Sequence, residues 1–329
     1  MLSEQSSALV EEVVVGRHVV VGKGPVGSAV AQVLVREGHE VVVLSRSGGT
    51  STAQVRHVAV DAADGAALAA ATGRADALYN AVNPKDYTRW AREWPPVAAA
   101  LLRAAEESGA VLAVMGNLYG YGRPDGPMTA STPLAATDAK GRLRARMWRD
   151  ALAAQEAGRV RGVVEVRASD FVGAVPTPQS HLTRQLATLR RGGRAWVVGD
   201  PDALHSWTYV PDVAELLVRV ATDASTWGRA WMVPSGDPRS QRQALTDVAA
   251  AMGARTPRVS GMPWPVLRAV GLAVPQMGEI VGIRHQWDGD FVLDATETTA
   301  VLGLTATPWD EAVRATVAGP AEAPASTTR

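Results

Sequence analysis

The chain has 329 residues, with 33 Lys and Arg balancing 33 Asp and Glu, and no cysteine. That length supports a full hydrophobic core without staples, and the missing cysteines exclude disulfide scaffolds, thiolate zinc sites, iron–sulfur clusters and cysteine nucleophiles. The balanced charge gives no electrostatic reason to bind nucleic acid. Apolar runs such as 19–21 and 41–44 are far shorter than the ~20 residues of a membrane span. The N-terminus opens with Ser and Glu rather than Lys or Arg, unlike a secretory leader. Together these features predict a soluble, cytoplasmic protein, a monomer or homodimer, with no nucleic-acid or membrane partner.

In chain order, 17–21 reads as a strand and 25–37 as a helix stopped by Gly38. A strand at 39–44 follows, apolar throughout as in a sheet covered on both faces. Next come a strand at 57–60, a helix over about 64–71 and a strand at 75–81. A helix at 97–108, introduced by Pro95 and Pro96, precedes a strand at 111–115. A long helix at 140–156 and a strand at 162–167 complete the first half. This alternation predicts a doubly wound parallel α/β sheet of Rossmann type with helices on both faces. The expected division is a dinucleotide-binding part over 1–167, with 205–225 returning to it, and a smaller α+β substrate part over 168–318. Within 205–225, a helix at 212–221 is expected to be capped by Asp212. Frequent Pro and Gly break up the second half, and the Ala/Pro/Thr-rich 319–329 reads as a disordered tail.

The first strand runs into Gly22-Lys23-Gly24-Pro25-Val26-Gly27, a G-x-G-x-x-G turn that opens a helix. Gly22 permits the tight turn, Gly24 lets backbone approach a pyrophosphate, and Gly27 lets helix and strand pack closely. The first helical N–H groups, with those of Pro25's successors Val26 and Gly27 among them, suit an anion. NAD readers place an acid at the end of the second strand, but here stand Leu44-Ser45-Arg46-Ser47. Arg46 can pair a 2′-phosphate bidentately, with Ser45 or Ser47 as further donors, which predicts NADP(H) over NAD(H).

In this order the motifs resemble an extended or atypical short-chain dehydrogenase/reductase of the NAD-dependent epimerase/dehydratase type. The resemblance covers 17 to about 317. It is carried by the glycine loop, Val60-Asp61, Tyr79-Asn80-Ala81, Leu118-Tyr119-Gly120, Arg167-x-x-Asp170-Phe171-Val172-Gly173 and Thr208-Tyr209-Val210-Pro211-Asp212. It implies that Asp61 and Ala62 contact adenine, that Asn80 and Ala81 line the path from the phosphates to the nicotinamide ribose, and that 168–172 crosses behind the nicotinamide. It also implies a Tyr-x-x-x-Lys pair with an upstream Ser or Thr. Lys140 matches the lysine and would bond the ribose, but Ala136 stands at the tyrosine position and Met115 at the hydroxyl position. The nearest replacements are in the loop after the fifth strand, where Tyr119 and Tyr121 are candidate proton donors and Asn117 a candidate carbonyl polariser.

The six histidines show no metal-ligand spacing, so no metal is expected. His205 precedes a segment that should border the cleft. Expected pocket walls, including Tyr87, Trp90, Phe171, Trp207, Trp264 and Met277, are largely apolar. The combined reading is an NADPH-dependent reductase of a carbonyl or conjugated alkene in a hydrophobic small molecule. Alternatives are a nucleotide-sugar epimerase or dehydratase, a non-redox acid–base or cyclisation enzyme, and a non-catalytic NADP(H) sensor.

Overall fold

The computed structural model describes residues 15–175 and 180–319. The expected tail lies, apart from Gly319, outside the described residues, as do Pro176 and Pro178. Seven parallel strands form the central sheet, in spatial order β3-β2-β1-β4-β5-β6-β11. They are β1 (Arg17–Val21), β2 (Glu40–Ser45), β3 (Val55–Ala59), β4 (Ala77–Asn80), β5 (Val111–Asn117), β6 (Val163–Ala168) and β11 (Arg229–Met232). Between and after them lie α1 (Pro25–Arg36), α2 (Gly65–Thr72), α3 (Trp90–Ser108), α4 (Ala139–Glu156) and α6 (Val210–Thr222). The predicted doubly wound parallel sheet is thus present.

The apolar strands have both faces covered because the helices divide between them. Val30, Leu34 and the α6 residues Val213 and Leu217 pack with Val20, Val41 and Tyr79 on one face. Leu68, Trp94, Leu101 and Leu143 pack with Val19, Val42 and Leu112 on the other. Burial of such side chains from both faces is the main favourable term in the fold, at about 1.5–3 kcal/mol for each large one.

The rest of the chain adds β7 (Asp170–Val172), α5 (Leu186–Arg190), β8 (Arg194–Val198), β9 (Leu204–His205) and β10 (Trp207–Tyr209). It continues with β12 (Arg239–Ser240), α7 (Gln241–Ala251), β13 (Arg258–Met262), α8 (Trp264–Ala273), α9 (Pro275–Gly282), α10 (Thr296–Leu302) and α11 (Trp309–Ala318). The short strands pair as β7–β10, β9–β12 and β8–β13. The segment 204–222 leads from them back to the main sheet, where α6 packs against α1.

Two local expectations are corrected. The helix expected from Val97 begins at Trp90, and Pro95 and Pro96 lie inside it. Their lost ladder bonds are offset by two buried indoles, Trp90 and Trp94, and Trp90 Nε1 donates to the Pro84 carbonyl at 3.0 Å. Asp212 does not cap its helix. It lies in the first turn of α6, and its carboxylate accepts from Thr307 N at 2.9 Å and Thr307 Oγ1 at 2.6 Å, fastening the 302–309 segment instead.

His18 lies in the sheet interior, 3.1 Å from the Tyr79 hydroxyl. Burial, with the neighbouring His39, pushes its imidazole down from 6.5 to about 4. Between those values the unfolded chain binds a proton that the folded chain refuses, so stability must fall as pH drops through this window. Urea midpoints measured across it are expected to decline, and to decline less steeply in His18→Gln.

Candidate functional site

The C-terminal ends of β1, β2, β4, β5 and β6 open onto one edge, where parallel α/β sheets bind ligands. β1 leaves through Gly22, whose φ of 108° suits glycine. A Cβ on Gly22 would lie 2.6 Å from the Ala81 carbonyl oxygen, and one on Gly27 only 2.0 Å from the Gly22 carbonyl oxygen. Gly24 differs: a Cβ there meets nothing within 4 Å. It is the N-cap of α1, no side chain caps that helix, and Pro25 opens the first turn. Tight packing behind, open space in front and an uncapped N-terminus suit a pyrophosphate. Val26 is buried behind this turn.

The loop after β2 is tied to the same place, because Lys23 Nζ donates to the Gly48 carbonyl at 2.7 Å. Ser45 Oγ donates to that carbonyl as well, at 3.1 Å. Arg46 is exposed beside them. Asp61 is exposed and turns its Oδ1 onto Ala63 N at 3.0 Å, with Ala62 partly buried next to it. At the end of β4, the buried Asn80 accepts from Val82 N at 3.1 Å, and Ala81 follows under Gly22. The residues expected to hold a dinucleotide therefore lie just past the C-terminal ends of the neighbouring strands β1, β2, β3 and β4.

The candidate catalytic residues after β5 divide into two groups. Tyr119 hydrogen-bonds hydroxyl to hydroxyl with Tyr87 at 3.0 Å, and both rings stack on Trp90. Burial, reinforced by Tyr87 and Asp170, holds the Tyr119 phenol well above its ordinary value. Asn117 Oδ1 accepts from Tyr119 N at 3.2 Å, bracing the loop. Tyr121 faces inward. Its hydroxyl donates to the Thr129 carbonyl at 2.9 Å and accepts from Arg167 Nη1 at 2.6 Å. Arg167 is paired in turn with buried Glu165 at 2.6 Å. Asp138 caps α4 by accepting from Lys140 N and Gly141 N, which sets Lys140 at the helix start. Its ammonium is ion-paired with Glu279 of α9 and lies 5.8 Å from the centre of the Tyr87 ring.

Other groups gather at the same edge, Asp170 and His205 from segments the sequence marks and His181 without a signal. Asp170, the first residue of β7, accepts from His205 Nε2 at 2.6 Å, while His181 Nε2 stands 3.6 Å from its other oxygen. Burial acts to raise the Asp170 carboxyl, but His181, His205 and Arg184 outweigh it and hold it below the usual range. His181 and Glu279 were not visible as site residues because their ion-pair partners, Asp170 and Lys140, lie 11 and 139 positions away, at spacings that match no local motif. Of the expected walls, Trp90 and Trp207 are buried, Trp207 donating to the Arg239 carbonyl at 2.9 Å. Met262, Trp264 and Met277 pack around Trp287 and Leu267. Among the described residues no group of three or more His, Cys, Asp or Glu could hold a metal ion, and no helix is long and apolar enough to cross a membrane.

The glycine turn, the parallel sheet and the ring of strand-end loops define a dinucleotide-type fold of the short-chain dehydrogenase/reductase kind. The profile of the NAD dependent epimerase/dehydratase family matches residues 18–233, and the chain belongs to that family. No curated protein sequence matches it. Its structure is similar to the Bordetella bronchiseptica enzyme WbmH solved with NAD+, at 20% identity over 93% of this chain and 98% of that one, TM-score 0.72. It is similar to the UDP-glucose 4-epimerase of Thermotoga maritima solved with UDP-glucose, at 15% identity over 92% and 97%, TM-score 0.75. It is also similar to a double mutant of DesIV, a dTDP-glucose 4,6-dehydratase from Streptomyces venezuelae solved with NAD, at 19% identity over 91% and 95%, TM-score 0.74. At such identities the likeness shows the fold.

The glycine geometry gives a paired prediction. Gly27→Ala forces a methyl into backbone and is expected to lower stability by about 1–3 kcal/mol. Gly24→Ala, facing open space, is expected to stay within about 0.5 kcal/mol of the parent. Urea denaturation of the two variants checks this.

Proposed function

We propose that the chain is an NADP(H)-linked oxidoreductase that reduces a carbonyl or conjugated alkene in an uncharged, largely apolar small molecule. The observation that carries this reading is the pairing of an open, uncapped α1 N-terminus at Gly24 with Arg46 exposed at the end of β2. The residues fit the cofactor. Gly24, Pro25, Val26 and Gly27 would hold the pyrophosphate, and Arg46 with Ser45 the 2′-phosphate. Asp61 and Ala62 would flank adenine, with Asn80, Ala81 and Lys140 towards the nicotinamide ribose. When bound, the dinucleotide supplies the hydride.

Everything else falls to the protein's own side chains. Tyr119, a phenol that keeps its proton, is suited to donate a hydrogen bond to the substrate oxygen, and Tyr87 fixes its direction. Trp90 stacked beneath both rings gives the apolar, water-excluding floor that favours an uncharged substrate. Asn117 holds the loop, and Tyr121 with Arg167 and Glu165 holds its underside.

A second reading, a nucleotide-sugar epimerase or dehydratase, draws support from similarity that extends through the C-terminal part to UDP-glucose and dTDP-glucose enzymes. Ala136 and Met115 stand at the positions of the family's Tyr and hydroxyl residue, so either reading needs another proton donor.

Arg46→Ala is expected to weaken NADP+ binding about tenfold or more while leaving NAD+ binding nearly unchanged. Calorimetric titration with both forms measures this, and equal NADP+ affinity in the two proteins would remove the assignment. Tyr119→Phe is expected to keep NADPH affinity and lose about 10²-fold in turnover of the best ketone or enone of a panel. If NADPH binds but no member of that panel is reduced, the sensor reading gains instead.

A further inference from the structure

We propose that Asp170 and His181, held by His205, form the acid–base group that exchanges a proton with the substrate, a role separate from the hydrogen bond given by Tyr119. The proposal rests on the oxidoreductase reading above and names residues that the family's Tyr-x-x-x-Lys pattern does not supply.

Position is the first ground. Asn117 pairs with Ala168 across β5 and β6, so Ser169 and Asp170 leave the sheet beside the loop that carries Tyr119. The Asp170 carboxylate lies close enough to bear electrostatically on both Tyr87 and Tyr119.

The second ground is the contrast between the two histidines. His205 is sealed, with its side chain 2% exposed. Its ring lies parallel to Trp287 at 4.4 Å and near Phe291 at 5.7 Å. Its Nε2 meets Asp170 Oδ2 at 2.6 Å and Ser169 Oγ at 3.3 Å. It can orient the carboxylate and do little else. His181, packed against Trp287 at 4.5 Å, keeps 22% of its side chain accessible, and Asp170 keeps 27%. One sealed imidazole and one partly accessible imidazole on a single carboxylate is the arrangement of an orienting residue and a transfer residue.

The charged groups around His181 are Asp170 on β7, Arg184 on the following helical turn and His205 on β9. Burial outweighs the attraction of Asp170 and leaves the imidazole lowered from 6.5 to about 4, so it is unprotonated at neutral pH and able to accept. Tyr119, held far above its ordinary value, cannot change protonation there. In the oxidative direction the substrate O–H bond breaks and an N–H bond forms on His181. The electron pair stays on the oxygen, and Asp170 balances the imidazolium. In the reductive direction His181 first takes a proton from solvent, forming the N–H bond, and then passes that proton to the oxygen, so NADPH-driven turnover is expected to rise as pH falls toward about 4. His205 is a positioning residue.

The test compares the full chain with His181→Gln, Asp170→Asn and His205→Gln in three measurements. Calorimetry with NADP+ is expected to give Kd values within about twofold of the parent for His181→Gln and His205→Gln; Asp170, in the 168–172 segment expected behind the nicotinamide, is judged by the other two measurements. Turnover of cyclohexenone and a long-chain methyl ketone with NADPH is expected to fall about 10²–10³-fold in His181→Gln and Asp170→Asn, with the His181 limb lost from the pH profile. His205→Gln is expected to shift that limb rather than abolish it. Carbethoxylation of His181 by diethyl pyrocarbonate, read by peptide mass, needs no turnover. Its pH midpoint is expected near about 4 in the parent and lower in Asp170→Asn, which loses the carboxylate. Unchanged turnover and pH profile in His181→Gln overturns the proposal, as does an unreactive His181 or an ordinary histidine midpoint. A parent that fails to bind NADP+ refutes the oxidoreductase reading alone, and a low-midpoint, reactive His181 then still supports the acid–base pair.

Discussion

The contact on which the rest depends is between two glycines. The carbonyl oxygen of Gly22 occupies the place where a side chain on Gly27 would begin, at 2.0 Å from that Cβ position. Only glycine allows α1 to start so close to the end of β1. This approach turns the uncapped first turn of the helix outward at the sheet edge. It also puts Ala81 under Gly22, so the ends of β1 and β4 share one wall. From that fixed corner the parallel register carries the geometry across the sheet, to Asn117 opposite Ala168.

The site divides between residues that hold shape and residues left available for chemistry. Arg167, Glu165 and Tyr121 satisfy one another in the interior. A Cβ on Gly116 would come within 2.8 Å of the Glu165 carboxylate, so glycine there makes room for the pair. A buried ion pair of this kind adds little net stability, but losing either partner would strand a charge. Arg144, whose guanidinium lies over Trp94 and donates to the Met115 carbonyl at 2.8 Å, braces the same strand end. Beside these supporting groups, Tyr119, Asp170 and His181 keep part of their surface accessible.

Sequence pattern revealed the sheet because its strands are apolar runs joined through glycine turns and amphipathic helices, signals that act over a few residues. The glycine turn between β1 and α1 was legible for the same reason: six consecutive positions carry it. The start of α3 was not, since local rules treat Pro95 and Pro96 as a helix entry, whereas burial of Trp90 and Trp94 is a tertiary effect. Asp212 misled in a similar way, its carboxylate being claimed by Thr307 from a distant segment. Sequence places Asp170 and His205 each near the cleft, but their meeting with one another and with His181 has no local signature. It exists because His181, from the turn at 181–182, and His205, from β9, both pack on Trp287 and meet Asp170 of β7, which only the folded chain displays. Tyr119 and Tyr121 look equivalent in sequence, yet one turn of helix sends the first to Tyr87 and the second into the core.

The central claim is that the N-terminus of α1 is an anion site built for a phosphorylated dinucleotide. Calorimetric titration of the unmodified chain with NADP+ tests it most directly. The account predicts saturable binding of one dinucleotide per chain, tighter than that of NAD+. A titration with no saturation for either form would contradict it.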